Sequence, residues 1–278
     1  MKIAILADVH ANYIGLQTVA DHIEQWRPDF VVVAGDTVNR GPRPRQCLEF
    51  VLDKVAQQDW RVIIGNHEEY VIARTQPDDP KTGFQYELFQ ATHWTCEQLN
   101  YDVTALKAMP YSTSLHGPDG SEVRITHGSM LGTRSGLFPW TTESEIRERI
   151  NPPPPVMCVG HTHRPFIKQI DDTLVVNVGS AGLSFDGDRR IGYAQLTWQH
   201  GDWHAKIIRM DYDYQVAEQD FYDSGYWPNG GSLVKLVLNE LHDADSRLGS
   251  WSGQYEKQIL TGEISMAESV ERFLQGLQ

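Results

Sequence analysis

Asp8-Val9-His10, Gly35-Asp36, Gly65-Asn66-His67-Glu68, His127-Gly128 and Gly160-His161-Thr162-His163 are five short motifs, each carrying side chains able to bind a metal ion. The first three follow apolar runs of strand character, so their ligands would collect where strands end. Carboxylate oxygens are hard ligands and imidazole nitrogens borderline ones, a mixture that suits manganese, iron or zinc better than calcium. Such a set, brought together, is what a two-metal hydrolytic centre needs. Taken singly, most of the motifs are weak. Gly35-Asp36 could simply begin a turn, Asn66 could be an Asx-turn residue, and His127 alone reads as a buried, hydrogen-bonded structural histidine. Asp8 and His10, one residue apart, would point to the same side of an extended segment. The pair His161 and His163 is stronger, two imidazoles on one side of an extended chain directly after a buried strand.

The elements that must position these residues can be read from periodicity. Lys2–Ala7 and Phe30–Gly35 are Ile- and Val-rich runs of the kind found in buried parallel strands. Between them Ile14, Leu16, Val19, Ile23 and Trp26 recur at three- and four-residue spacing, predicting an amphipathic helix. Pro44–Gln57 repeats the pattern, and Arg61–Ile64 is a third strand leading into Gly65-Asn66-His67, where the glycine permits a sharp turn. This β-α-β-α-β order implies right-handed crossovers and a parallel sheet, with a site beyond the carboxyl ends of its strands. Residues 68–109 read as helices. After Pro110 the period changes to two, with strands expected at 111–116, 122–126, 156–159, 166–170, 174–178, 192–198 and 204–210. Thr142 with Glu145 opens a short helix of capping-box character. From residue 211 the pattern is helical again, at 214–224, 231–242 and 265–275. The expected division is therefore a catalytic domain over 1–210 and a helical extension over 211–278.

Composition narrows the class. The 278 residues carry a formal net charge of −13, which disfavours loose binding to DNA or RNA. No apolar stretch is long enough to span a bilayer, and three cysteines without Cys-x-x-Cys spacing fit a reducing cytoplasm. A small phosphorylated substrate remains compatible with an acidic chain, because bound divalent cations reverse the local field. Homo-oligomerisation is left open.

The five motifs in this order resemble those of the calcineurin-like metallophosphoesterases over roughly residues 1–210. The histidine pair is similar to that of the small bacterial and archaeal phosphodiesterases of that superfamily. The resemblance implies an α/β (α+β) fold, a four-layer αββα sandwich, here with a C-terminal helical appendage. It also implies two divalent metal ions, manganese first, with iron, zinc, nickel or magnesium as alternatives. Asp8, His10, Asp36 and His163 would hold the first ion; Asp36, Asn66, His127 and His161 would hold the second, with Asp36 bridging through its two oxygens. A metal-bridging hydroxide would attack a phosphodiester or phosphomonoester, His67 would protonate the leaving oxygen, and Arg40 would grip phosphate. The segment Thr37-Val38-Asn39-Arg40-Gly41-Pro42 resembles the Gly-Asp-x-x-Asp-Arg-Gly segment of protein phosphatases and dinucleoside tetraphosphatases. Asn39, however, stands where those families carry the aspartate that orients the catalytic histidine. The competing expectations are a nucleotide-polyphosphate hydrolase or protein phosphatase, and a non-catalytic interaction scaffold on the same fold. Trp140, Trp203, Trp227 and Trp251 are expected in core or rim positions, and Gly179-Ser180-Ala181-Gly182 in a tight turn or packed beneath the site.

Overall fold

A computed structural model describes residues 1–277. Its elements begin with β1 (Lys2–Leu6), α1 (Tyr13–Trp26), β2 (Phe30–Ala34), α2 (Pro44–Gln58), β3 (Arg61–Ile63) and α3 (Asn66–Arg74). There follow α4 (Gly83–Leu88), α5 (Gln90–Gln98), α6 (Thr104–Ala108), β4 (Ser112–His116), β5 (Glu122–Thr126) and α7 (Glu143–Arg149). Next are β6 (Val156–Val159), β7 (Phe166–Ile170), β8 (Thr173–Asn177), β9 (Ile191–Gln199) and β10 (Asp202–Met210). The chain finishes with α8 (Tyr214–Asp223), α9 (Tyr226–Asn229), α10 (Val234–Asp243), α11 (Arg247–Leu260) and α12 (Met266–Gln275). Gln278, the last residue of the expected extension, lies outside the described residues. No described helix is long and apolar enough to cross a membrane.

Two five-stranded sheets stack face to face, in the orders β10-β9-β1-β2-β3 and β4-β5-β6-β8-β7. Strand alternation sorts the side chains between layers. Ile3, Ile5, Val32 and Ala34 point into the sandwich against Ile125, Cys158 and Val176 of the second sheet. Ala4, Leu6, Val31 and Val33 point the other way, onto Leu16, Val19 and Ile23 of α1 and Val51 of α2. On the outer face of the second sheet, Met157, Val159 and Val175 are covered by Ile146 and Ile150 of the α7 segment. The result is the αββα order implied by the resemblance.

The strands after residue 110, whose period of two suits antiparallel pairing, do not all pair that way. β6 lies parallel to both of its neighbours, β5 and β8. The chain between β5 and β6 includes α7, so it can return over the outer face and re-enter the sheet in the same direction, as a parallel pairing requires. Helix α11 is a second departure, because no helix was expected there. Gly249, Gly253 and several serines lower its intrinsic propensity, yet Trp251, Tyr255 and Ile264 bury against Leu233, Leu236 and Phe273, and this packing holds the segment.

Candidate metal centre

The loops after β1, β2 and β3 run side by side at one end of the first sheet. Asp8 N–H donates to Gly35 O (3.1 Å), His10 N–H to Asp36 O (2.9 Å) and Ala11 N–H to Thr37 O (3.0 Å). Asp8, His10, Asp36, His161 and His163 all take left-handed backbone, with φ of 56°, 49°, 55°, 67° and 55°. This corrects the expected reason for their convergence. Neither pair lies on an extended strand; sharp left-handed turns aim each side chain inward. Such conformations are uncommon outside glycine and cluster where a site needs them. Gly65 has extended backbone, so it supplies no special turn. Its role is proximity: a Cβ there would stand 2.1 Å from Asp36 Oδ1.

Every side chain expected as a ligand reaches one buried cluster. His163 Nε2 lies 3.2 Å from Asp8 Oδ1 and 3.1 Å from His10 Nε2. His127 Nε2 lies 3.2 Å from Asp36 Oδ2 and 3.0 Å from Asn66 Oδ1, while His161 Nδ1 is 2.8 Å from the same Asn66 oxygen. Asp36 is central, but through one oxygen. Its Oδ1 accepts the His67 N–H at the start of α3 (2.8 Å), leaving Oδ2 to face His127 and, at 3.7 Å, His10.

The donor set fits divalent cations. His127 Nδ1 donates to Ala34 O and His163 Nδ1 to Leu183 O, so both rings turn Nε2 inward. His127 Nε2 then meets the Asp36 carboxylate and Asn66 amide oxygens, and His163 Nε2 meets Asp8 Oδ1 and His10 Nε2, electron-pair donors that attract only around a proton or a cation. Asp8 Oδ1 and His10 Nδ1 are buried without any hydrogen-bond partner, and buried polar atoms are normally paired. Two triads of possible ligands, Asp8-His10-His163 and Asp36-His127-His161, are each drawn from one of the two expected sets of four, and a third, His10-Asp36-His67, shares one residue with each triad.

Burial works to raise the Asp36 carboxyl, but His127, His67 and His10 outweigh it and hold it well below the ordinary range. Burial works to lower His127, and the Asp36 charge overrides it, raising the imidazole to about 10. A cation taking up these two ligands would displace that proton. His10, His67 and His161 are lowered, chiefly by burial, the latter two to about 3 and about 4.

His67 Nδ1 accepts from the Asn39 amide (3.0 Å), which also donates to Thr92 Oγ1 (3.1 Å) and accepts from Thr95 Oγ1 (3.3 Å). The neutral ring therefore carries its hydrogen on Nε2. Arg40 meets a partner that the sequence did not suggest. Its fork closes on Glu240 of α10, with Nη2 2.6 Å from Oε1 and Nε 3.2 Å from Oε2, above the Phe185 ring. The bidentate face expected to grip phosphate is engaged.

Three further residues hold the ligand loops in place. Ser180 Oγ donates to Asp8 O (2.7 Å), so the Gly179–Gly182 segment packs beneath the site. Asn177 Nδ2 bonds Gly160 O and Thr162 Oγ1, holding the histidine loop. Glu68 is fully buried, and its carboxylate accepts the N–H groups of Asp36 (2.8 Å), Thr37 (2.7 Å), Val38 (3.2 Å) and Gly65 (2.8 Å). Burial, then the Asp36 charge, raises it to about 7 against those donors. It ties two ligand loops together rather than ligating. Removing such an acceptor leaves each buried N–H unpaired at about 1–3 kcal/mol. Glu68→Ala is expected to lose about 4 kcal/mol or more and to melt roughly 10 °C lower, with Glu68→Gln between the two. A calorimetric midpoint within 2 °C of the parent for Glu68→Ala would rule out this role.

Comparison with known proteins follows the same outline. The model of the calcineurin-like phosphoesterase superfamily domain matches residues 1–201. An uncharacterized protein of Methanocaldococcus jannaschii is 23% identical over 233 residues, 77% of this chain and 89% of its own length. A metallophosphoesterase from Sphaerobacter thermophilus is similar in structure, with TM-score 0.67 and 25% identity over 88% of this chain and 99% of its own. A hypothetical protein from Pyrococcus horikoshii OT3 reaches TM-score 0.74 at 18% identity with the same coverage, a likeness of fold. Both structural likenesses cover a larger share of the chain than residues 1–201 make up.

Proposed function

This chain belongs to the calcineurin-like phosphoesterase superfamily, and on that premise we propose that it hydrolyses a phosphodiester or phosphomonoester of a small substrate with two divalent cations, manganese first. The observation that carries the reading is the inward convergence of lone pairs from loops of both sheets onto the two sides of Asp36 Oδ2. Asp8, His10, Asp36 and His163 would hold one cation, and Asp36, Asn66, His127 and His161 the other. When bound, such cations supply Lewis-acid charge to the phosphoryl oxygens and lower the pKa of a water molecule.

The chain's own groups do the rest. Water adds to phosphorus, the bond from phosphorus to the ester oxygen breaks, and the alcohol leaves with a proton. His67 Nε2–H is placed to hydrogen-bond the ester oxygen as negative charge develops on it. Asn39 orients that ring through Nδ1 without adding a second negative charge. Arg40, fixed by Glu240, contributes positive charge at the edge of the site and retains Nη1 for substrate. We assign this chemistry to residues 1–210, with 211–278 as the helical extension. A net charge of −13 supports a small substrate over a nucleic acid.

The test uses metal-stripped protein reloaded with manganese. Hydrolysis of bis-p-nitrophenyl phosphate that chelator abolishes is expected, together with a higher melting temperature on reloading. Saturation at 100 times Kd contributes about 2.7 kcal/mol, roughly 5–10 °C for a chain of this size. Preference for p-nitrophenyl phosphate would reassign the enzyme as a monoesterase. No turnover with either ester and no thermal shift would overturn the proposal.

A further inference from the structure

A cleft of about 330 Å³ opens beside His67 and Arg40, between the α3–α5 side of the molecule and helices α9 to α11. Its size falls at the lower end of small-molecule sites, about 300–1,000 Å³. Tyr70 and Phe89 form one wall, and Leu248, Trp251 and Val237 the other. Apart from Arg40 and the neutral His67, no lysine, arginine, histidine or carboxylate lines it among the described residues.

The few polar groups in the walls are largely committed to partners within the protein. Ser252 Oγ donates to Glu256 (2.7 Å), Thr92 Oγ1 accepts from Asn39, and both ends of the Asn39 amide are taken. Arg40 has given its fork to Glu240. A polyphosphate tail would find no spare bidentate cation here, and a sugar or nucleobase edge would find few free donors and acceptors. One wall group differs. The Tyr226 hydroxyl is fully buried and has no hydrogen-bond partner. A buried hydroxyl is normally paired, so this one is available to a ligand.

We propose that this cleft binds the alcohol portion of the substrate, and that this portion is an uncharged, apolar aromatic group carrying a single acceptor for the Tyr226 hydroxyl. The inference rests on the phosphoesterase reading, because it places the cleft on the leaving-group side of His67. Burial of an aromatic group between Tyr70, Phe89 and Trp251 supplies affinity through area and ring packing. That binding energy also fixes the ester oxygen against Nε2. Two elements of the extension, α9 and α11, then set substrate choice.

The test compares two diesters with primary-alcohol leaving groups of similar acidity, the 2-naphthylmethyl and the 2,3-dihydroxypropyl esters of methyl phosphate. Release of each alcohol is measured with manganese-loaded protein. The expected kcat/KM ratio is at least about 10 in favour of the naphthylmethyl ester, the order of discrimination an apolar pocket gives. Gly249 provides a way to fill the cleft from within. It lies in α11, and a Cβ there meets only Ser246 Oγ, at an ordinary 3.4 Å. Gly249→Trp is expected to bring the ratio toward one at an unchanged melting temperature. Calorimetry with the two corresponding phosphonates, in which a methylene replaces the ester oxygen that joins phosphorus to the naphthylmethyl or dihydroxypropyl group so that this link cannot be hydrolysed, provides a readout independent of turnover. The naphthylmethyl compound should bind about tenfold tighter to the parent, and Gly249→Trp should remove that advantage. Equal affinities and equal rates for the two compounds, with bis-p-nitrophenyl phosphate still hydrolysed, would overturn the cleft assignment and leave the phosphoesterase standing. Absence of all hydrolysis with the binding preference intact would do the reverse.

Discussion

Replacing Asp36 by Asn is expected to lower kcat on bis-p-nitrophenyl phosphate by about 10³-fold or more, the scale of losing a principal electrostatic group. The substitution keeps size and shape. Its amide oxygen can still accept the His67 N–H that now bonds Oδ1, and asparagine tolerates the left-handed backbone of this position. What changes is the other atom. In place of the anionic Oδ2, an NH2 group would face His127 Nε2 and His10 Nε2, the two sides on which cations are proposed to bind. Metal content measured on the purified variant should fall with activity, while circular dichroism should remain that of the parent. Parental turnover by the variant would remove Asp36, and with it the two-cation reading, from the mechanism.

Removing the His67 ring should discriminate between substrates. His67→Ala is expected to slow hydrolysis of alkyl esters by about 10²–10³-fold, the scale of losing one hydrogen-bond donor to a developing oxyanion. Nitrophenyl esters should lose less than about tenfold, because their leaving oxygen is stable without that hydrogen. The geometry behind this is the acceptance by Nδ1 of an Asn39 hydrogen, which leaves Nε2–H as the ring's only donor. The ring also packs edge-on to His10, with centroids 4.6 Å apart. A purely packing role predicts equal losses on both classes of ester, so comparable slowing of the alkyl and nitrophenyl series would assign His67 to the frame of the site.

Much of the frame was legible because it rests on repetition. Continuous Ile- and Val-rich runs marked β1 and β2, three- and four-residue spacing marked α1 and α2, and the ligands followed the strand ends. The Thr142–Glu145 capping box was a local signal and forms as expected. Features that depend on distant partners were not legible. Nothing in Glu240 marks it as the counter-ion of Arg40, 200 residues away. Glu68 resembled one more ligand until its burial showed it bonding four backbone N–H groups. Helix α11 had a readable stripe in Leu248, Trp251, Tyr255 and Ile259, obscured by two glycines and three serines between residues 246 and 253. Trp251 is 1% exposed, as core packing predicts, yet the same ring reaches the cleft wall. Trp203 is likewise buried, while Trp140 is 67% exposed and lies under Arg164.

The left-handed turns at Asp8, His10, Asp36, His161 and His163 also govern which mutations the site can absorb. Aspartate, asparagine and histidine are the non-glycine residues enriched in that backbone conformation, whereas a β-branched residue there is an outlier. They are also the three types that supply the cluster's ligands, and their codons differ only at the first base. A single nucleotide change can therefore exchange one for another, altering charge and donor atom while the loop keeps its shape. Such exchanges change the ligand set while the backbone of the loops remains one that all three residue types tolerate.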